Sequence, residues 1–194
     1  MSDPRVVLRA PTVRNADAWC ALIGASRRFL AGRASTDARP ETYRAYLTRS
    51  RSPNTHFRLI WRAADRTLLG SINLSEIVRG AFQSAFLGYY LGAAFVGQGY
   101  MSEALALMLR EAFGELRLHR VEANIQPDNA ASIALVRRAG FQQEGYSPRY
   151  LKLGGRWRDH ERWALRVEQW RARRPIVGPT VPPNKRMQLA ALQV

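Results

Sequence analysis

Two glycines lie in a short loop between an apolar strand and an amphipathic helix in the middle of the chain. The segment Phe86 to Leu91 is apolar, Val96-Gly97-Gln98-Gly99-Tyr100 follows, and apolar residues then recur at helical spacing from Met101 to Ala112. Glycine has no Cβ, so the backbone can turn sharply and bring its N–H groups against an anion at the helix N-terminus. The spacing therefore predicts a cradle for a bulky anion such as a pyrophosphate.

The glycine pair also fits a tight strand-to-helix turn without any ligand, because a single Gly-x-Gly is common. Two nucleotide-binding motifs are absent: there is no Gly-Lys-Ser/Thr for a triphosphate, and no third glycine after Gly99 for a dinucleotide. Glu103 lies in the first turn of the helix, where it suits the helix dipole but would repel a phosphate. We expect its side chain to point away from the anion.

The composition indicates one folded domain with a strongly basic charge. A chain of 194 residues with 46% hydrophobic residues is long enough to bury a real core. The net charge is +15, and only Lys152 and Lys185 are lysines, so arginine supplies nearly all of the positive charge. Arginine suits a phosphorylated cofactor, RNA or an acidic partner. A general preference for arginine on a solvated surface explains the same composition, since the charges are scattered along the chain.

Several classes of protein are excluded by what the sequence lacks. No run of about 18 apolar residues exists, and the first residues lack the apolar core of a signal peptide, so we expect a cytoplasmic protein without a membrane segment. Cys20 is the only cysteine, which excludes an internal disulfide and a cysteine metal cluster. The three histidines are dispersed, and no metal site is expected.

The remaining pattern predicts a mixed α/β fold. Up to the glycine loop, we expect strands over Val6–Leu8, His56–Ala63, Leu68–Ile77 and Phe82–Leu91. We expect helices over Ala18–Leu30 and Glu41–Arg51. After the central helix, we expect a strand over Arg120–Ile125 and then a helix over Asn129–Gly140, capped by Asp128-Asn129 and ended by Gly140. A hairpin of Gln143–Leu153 and Arg156–Leu165 should follow, with Gly154-Gly155 at its turn. Residues 175–194 are proline-punctuated and are expected to form a disordered tail after a domain at 1–174.

Several blocks in this order resemble the Gcn5-related acetyltransferases (GNAT), and within them the RimJ/RimL group of ribosomal-protein N-terminal acetyltransferases, with RimJ the most similar. The blocks are Asn73 to Gly80, Leu87-Gly88-Tyr89-Tyr90, Gly97-Gln98-Gly99-Tyr100-Met101, Asn129 to Ser132, Gly140-Phe141, Glu144-Gly145-Tyr146 and Gly155 to His160. The resemblance implies the GNAT fold, an α/β fold with a mixed, mostly antiparallel sheet of six to seven strands flanked by about four helices.

The resemblance also implies acetyl-CoA as the co-substrate and a set of donor-binding residues. Backbone amides would hold the pyrophosphate, from Val96, Gly97, Gln98, Gly99, Tyr100 and Met101. The strand edge at Tyr89, Tyr90 and Leu91 would bond the pantetheine arm and polarise the thioester. Asn129 would contact the pantetheine or cap the following helix. Relatives often carry Gln or Arg three residues before the first loop glycine, where this chain has Ala94.

Acetyl transfer to an amine requires a base that removes the amine proton. Glu122 is the leading candidate, because strand alternation places Glu122 and Asn124 on the face opposite Val121; a solvated strand position is the alternative interpretation. Asp159 or His160 in the last hairpin could serve instead. His119 is expected to lie on the surface.

The departing thiolate takes a proton from a donor, or needs none, since the CoA thiol is a reasonable leaving group near neutral pH. Many relatives have a tyrosine four residues before the glycine that ends the helix, whereas this chain has Val136. We nominate Ser132 as the nearest hydroxyl. A hydroxyl that satisfies the helix start is the alternative interpretation of Ser132.

The resemblance favours acetylation of the N-terminal α-amine of a protein, with a ribosomal protein or the ribosome as partner. A peptide would enter beside Asn73–Phe82 and the Tyr146–His160 hairpin. Acetylation of a small amine, such as an antibiotic or an amino acid, is the alternative on the same fold. The basic charge allows a third hypothesis, a non-enzymatic RNA-binding or ribosome-binding module, which could coexist with catalysis. The sequence is compatible with a monomer or a homodimer.

Overall fold

A computed structural model of the chain describes residues 4–34 and 36–173, so the tail expected at 175–194 lies outside the described residues. Seven strands form one sheet: β1 (Val6–Arg9), β2 (His56–Arg62), β3 (Leu68–Val78), β4 (Ser84–Leu91), β5 (Arg120–Ile125), β6 (Gln142–Leu153) and β7 (Arg156–Arg166). Their order in the sheet is β1-β2-β3-β4-β5-β7-β6. Every neighbouring pair is antiparallel except β4 and β5, which run parallel. The mixed, mostly antiparallel sheet is confirmed.

In the part of the chain that the structure describes, five α-helices flank the sheet: α1 (Ala16–Leu30), α2 (Pro40–Ser50), α3 (Tyr100–Arg110), α4 (Ala130–Ala139) and α5 (Val167–Ala172). Helix α3 is the crossover that parallel strands β4 and β5 require. Helix α5 has only six residues, too few for a visible hydrophobic period, and the sequence did not predict it. Strand β4 begins at Ser84 rather than at the predicted Phe82, because Gln83 has a left-handed φ of 43°.

Two apolar layers cover the two faces of the sheet. Alternation along β2 divides them, since Leu59 belongs to the layer under α1 and α2 while Ile60 belongs to the layer under α3 and α4. Aromatic rings dominate the first layer, where Trp19 and Tyr43 have ring centroids 5.4 Å apart. Within the described residues, no helix is long and apolar enough to cross a membrane.

Strands β4 and β5 are paired over only part of their length. Their parallel pairing runs from Ser84 opposite Arg120 to Phe86 opposite Glu122 and then stops. Strand β4 continues to Leu91 and stays paired with β3, while β5 continues to Ile125 and stays paired with β7. The gap between the two strands beyond Phe86 and Glu122, here named the wedge, leaves one backbone edge of β4 without a strand partner.

Candidate active site

A loop of backbone amides lies just beyond the open end of the wedge. Gly97 and Gly99 have left-handed φ values of 75° and 83°, and Gly99 is the N-cap of α3. A Cβ at Gly97 would meet nothing within 4 Å, so the loop is open at that point. The N–H groups of residues 96–101 donate to no acceptor in the described part of the chain. These amides and the N-terminus of α3 therefore present donors suited to an anion.

The Glu103 carboxylate is paired with Arg5 beside this loop. Its carboxylate accepts hydrogen bonds from Nε of Arg5 at 2.6 Å and from the Arg5 backbone N–H at 3.1 Å. The Arg5 guanidinium also lies over the Tyr100 ring, 5.1 Å from its centroid. The pairing with Arg5 offsets the repulsion that the sequence predicted between Glu103 and a bound phosphate.

A hydrogen bond between Gln98 and Ala94 stabilises the loop. Nε2 of Gln98 donates to the Ala94 carbonyl at 2.9 Å. Where relatives carry a polar side chain, this chain thus uses a backbone oxygen to hold the loop.

A cleft of about 440 Å³ runs through the wedge. Its walls come from β3, β4, β5, β6, β7, the start of α4 and the segment after α1. The residues that line it include Arg33, Ser75, Glu76, Phe86, Gly88, Tyr89, Asn124, Gln126, Asn129, Ser132, Tyr150 and His160. Arg33 follows α1, which covers one face of the sheet, and Ser132 lies in α4, which covers the other. Because lining residues come from both sides of the sheet, the cleft connects its two faces.

The start of α4 brings Asn129 and Ser132 to the cleft. The Asn129 side-chain oxygen accepts from the Ser132 backbone N–H at 3.2 Å, which is the predicted N-cap, and Gly140 ends the helix with φ 98°. Burial raises the pKa of Tyr89, and the nearby Ser132 hydroxyl opposes that shift. The Tyr89 hydroxyl oxygen is buried and has no formed hydrogen bond within the described ranges. A hydroxyl pair, Tyr89 and Ser132, therefore lies in the wedge.

Tyr90 and Leu91 contribute to the wedge through their backbone only. The Tyr90 hydroxyl accepts from Trp19 Nε1 at 2.8 Å in the aromatic layer, and Leu91 is a core residue. Their predicted role as a strand edge concerns main-chain groups, which have no strand partner on the side facing β5 among the described residues.

Glu122 lies at the apex of the wedge in a cluster of charges and does not line the cleft. Nε of Arg120 donates to the Glu122 carboxylate at 2.8 Å, and Nη1 of Arg120 donates to Glu144 at 3.0 Å. The Arg120 hydrogen bond holds the pKa of Glu144 below its usual range. The structure therefore places the predicted base with Arg120 and does not bring it together with Ser132.

His160 on β7 lines the cleft and is 2% exposed. Its Nδ1 lies 2.9 Å from the backbone carbonyl oxygen of Arg158. A carbonyl oxygen only accepts, so Nδ1 carries the proton in the neutral ring and Nε2 keeps its lone pair. His160 is thus an available proton acceptor in the cleft.

Asp159, the remaining predicted base candidate, and His119, predicted to be a surface residue, lie elsewhere. Asp159 accepts the Arg149 backbone N–H at 2.7 Å and also accepts from the Tyr146 hydroxyl, and it does not line the cleft. His119 is half exposed and pairs with Glu168 at 3.2 Å, a surface position as expected.

Two charged cleft residues were missed by the sequence analysis. Arg33 reaches the cleft because Nε2 of Gln126 donates to the Gly32 carbonyl at 2.8 Å and holds that segment against β5. Glu76 reaches it through an irregularity in β3. For Glu76 a signal was present: apolar residues fall at Ile72 and Leu74 but next at Ile77, so the alternation slips by one residue.

An unpartnered strand edge followed by a row of amides suits a long, thin ligand that carries a pyrophosphate, which is the shape of coenzyme A. The fold and the site together define the class of acyl-CoA-dependent transferases. Residues 5–142 match the acetyltransferase (GNAT) domain, which is more than half of the chain, and the chain belongs to this family. The co-substrate of the family is acetyl-CoA.

Similar proteins are known by sequence and by structure. The chain is 43% identical over 106 residues to a probable N-acetyltransferase, YjcK, of Bacillus subtilis, and 40% identical over 106 residues to ribosomal protein uS5-alanine N-acetyltransferase of Escherichia coli. Each match covers 55% of this chain, and the chain spans 59% and 55% of the length of these curated relatives. RimJ of Mycobacterium smegmatis, solved in complex with CoA-disulfide, is 28% identical with a TM-score of 0.77, covering 84% of this chain and 82% of that one.

Proposed function

We propose that this protein transfers the acetyl group of acetyl-CoA to the N-terminal α-amine of a protein, with ribosomal proteins as the substrate class. The observation that carries the proposal is the wedge between β4 and β5, which joins a cradle of unpaired amides to a cleft that crosses the sheet. The relatives that act on ribosomal protein uS5 alanine or are named RimJ support the choice of acceptor.

The donor would be held almost entirely by main-chain groups. The amides from Val96 to Met101 would receive the pyrophosphate, and the open edge of β4 at Tyr89 to Leu91 would pair with the pantetheine as a further strand does. Asn129 fixes the start of α4 beside that edge. Because backbone groups do this work, the polar side chain absent at Ala94 is not required.

The chemical step forms a C–N bond between the amine and the acetyl carbonyl carbon and breaks the C–S bond. The amine proton passes to Nε2 of His160, directly or through one water. An α-amine has a pKa of about 8, so a substantial fraction is neutral without a strongly perturbed base. Glu122 at the apex of the wedge is the alternative base.

The departing CoA sulfur needs a hydrogen-bond donor, because this chain has Val136 at the position where many relatives have a tyrosine. The Tyr89 hydroxyl, buried and without a formed hydrogen bond in the described residues, and the Ser132 hydroxyl supply that donor in our proposal. A buried hydroxyl that gains a partner only when the thiolate develops would act in the transition state rather than in the ground state.

Acetyl transfer to peptides that differ only in their first residue tests the proposed function. We expect kcat/KM to differ by about tenfold or more between Ala-initiated and other peptides, and N-acetylated peptides to be inert. The measurement is thiol release from acetyl-CoA at fixed enzyme concentration. Equal, near-background rates for all peptides would contradict the proposal. A small amine that outcompetes every peptide would support the small-amine alternative.

A further inference from the structure

Strand β3 contains one extra residue where it borders the cleft. Ser75 faces Phe86 and Val78 faces Ser84, so Glu76 and Ile77 together oppose a single residue of β4. This is a β-bulge, and Glu76 in it has a left-handed φ of 48°. A non-glycine residue in that region is strained, and such strain persists where the surrounding structure fixes it.

The bulge decides which way Glu76 faces. Ile72 and Leu74 are fully buried in the layer under α3, and regular alternation would place Glu76 there next. Ile77 occupies that layer instead, at 8% exposure, and Glu76 is exposed and lines the cleft. The extra residue thus keeps a carboxylate out of the apolar layer and presents it to the site.

Glu76 is also the only acidic side chain among the described residues that line the cleft. Other glutamates near the site are tied to arginines, as Glu103 is to Arg5 and Glu122 to Arg120. The Glu76 carboxylate has no ion pair or hydrogen bond within residues 4–34 and 36–173. In a chain of net charge +15, this is a local negative site on an otherwise basic molecule.

We propose that Glu76 binds the ammonium form of the acceptor amine and positions it in the cleft, where the ammonium loses one proton to solvent; the neutral amine then attacks the thioester and passes its second proton to His160. The inference rests on the proposed function and adds the substrate feature that the cleft selects, a positive charge on the amine itself. Glu76 is then a specificity-determining residue. A charge-assisted hydrogen bond from the ammonium would occupy the carboxylate that the chain leaves unpaired.

Equilibrium binding of two peptides tests the inference without requiring turnover. One peptide has a free α-amine and the other is the same peptide acetylated, and both are titrated into protein saturated with CoA. We expect the free-amine peptide to bind about tenfold more tightly to the wild type, and the difference to disappear in Glu76→Gln and to return in part in Glu76→Asp. Raising the ionic strength should weaken the preference of the wild type only.

Glu115→Gln is the matched control, because Glu115 is an exposed glutamate outside the cleft, and it should keep the preference. Equal binding of the two peptides by the wild type, or a preference that survives in Glu76→Gln, would overturn the inference. A preference that depends on Glu76 without any acetyl transfer would uphold it and would refute the proposed function instead.

Discussion

The two ring nitrogens of His160 have different roles in the proposed mechanism. Nδ1 is fixed by the Arg158 carbonyl at 2.9 Å, which orients the ring and leaves Nε2 as the acceptor in the cleft. Glu122 has the charge of a base, but Arg120 engages it at 2.8 Å and it does not line the cleft. We therefore propose His160 as the base, whereas the sequence favoured Glu122.

Replacing His160 with Gln should lower kcat by about a hundredfold or more, because the amine proton loses its acceptor. Acetyl-CoA affinity should change by less than about twofold, since the donor is held by main-chain groups elsewhere. Single-turnover rates and direct titration with acetyl-CoA separate the two effects.

Two further variants complete the His160 comparison. His119→Gln is the matched control at a half-exposed position and should leave kcat unchanged. A large loss in Glu122→Gln together with normal turnover in His160→Gln would assign the base to Glu122.

Apart from α5, the individual strands and helices were predictable from the sequence because their signals are local. Alternation, the Asn129 cap and the Gly140 end were read at the correct positions. The placement of β7 between β5 and β6 was not predictable, since it depends on contacts distant in sequence. For the same reason the end of β4–β5 pairing at Phe86, and with it the shape of the site, had no local signal.

The charged cluster at the apex of the wedge links β5 to β6 and should make stability depend on pH. The Arg120 hydrogen bond lowers the pKa of Glu144 in the folded protein relative to about 4.3 in the unfolded chain. A lowered folded pKa stabilises the protein above the unfolded pKa, and the stabilisation is lost as the pH falls through the folded value. The link between the two strands therefore weakens in acid.

Glu144→Gln should lower the free energy of unfolding by about 0.5–1 kcal/mol at neutral pH, a value limited by the 40% exposure of the Glu144 side chain. The variant and the wild type should converge in acid, once the pH falls below the folded pKa of Glu144 and the carboxyl is protonated in both states. Urea unfolding at the two pH values is the measurement. If the variant and the wild type differed in free energy of unfolding by the same amount at both pH values, the charge of Glu144 would not contribute to stability.

At the scale of the whole molecule, the wedge joins the two faces of one sheet. In the proposed function, the amide loop and the start of α4 form the donor side, while β3, β6 and β7 bring Glu76, Tyr150 and His160 to the acceptor side. The net charge of +15 belongs to the sequence as a whole, and we propose that it adds a salt-dependent attraction for an RNA-rich partner such as the ribosome. Every part of this arrangement depends on the amides of residues 96–101 receiving the pyrophosphate.

Titrating CoA into isotopically labelled protein, and following each backbone amide by NMR, tests that dependence most directly. Gly97→Ala, strained at φ 75°, should weaken binding about tenfold, and Gly114→Ala, at an open position without a left-handed φ, should not. The account predicts that the largest amide shifts on CoA binding fall on Val96 to Met101 and on Tyr89 to Leu91. Saturable CoA binding that leaves both segments unperturbed would contradict it.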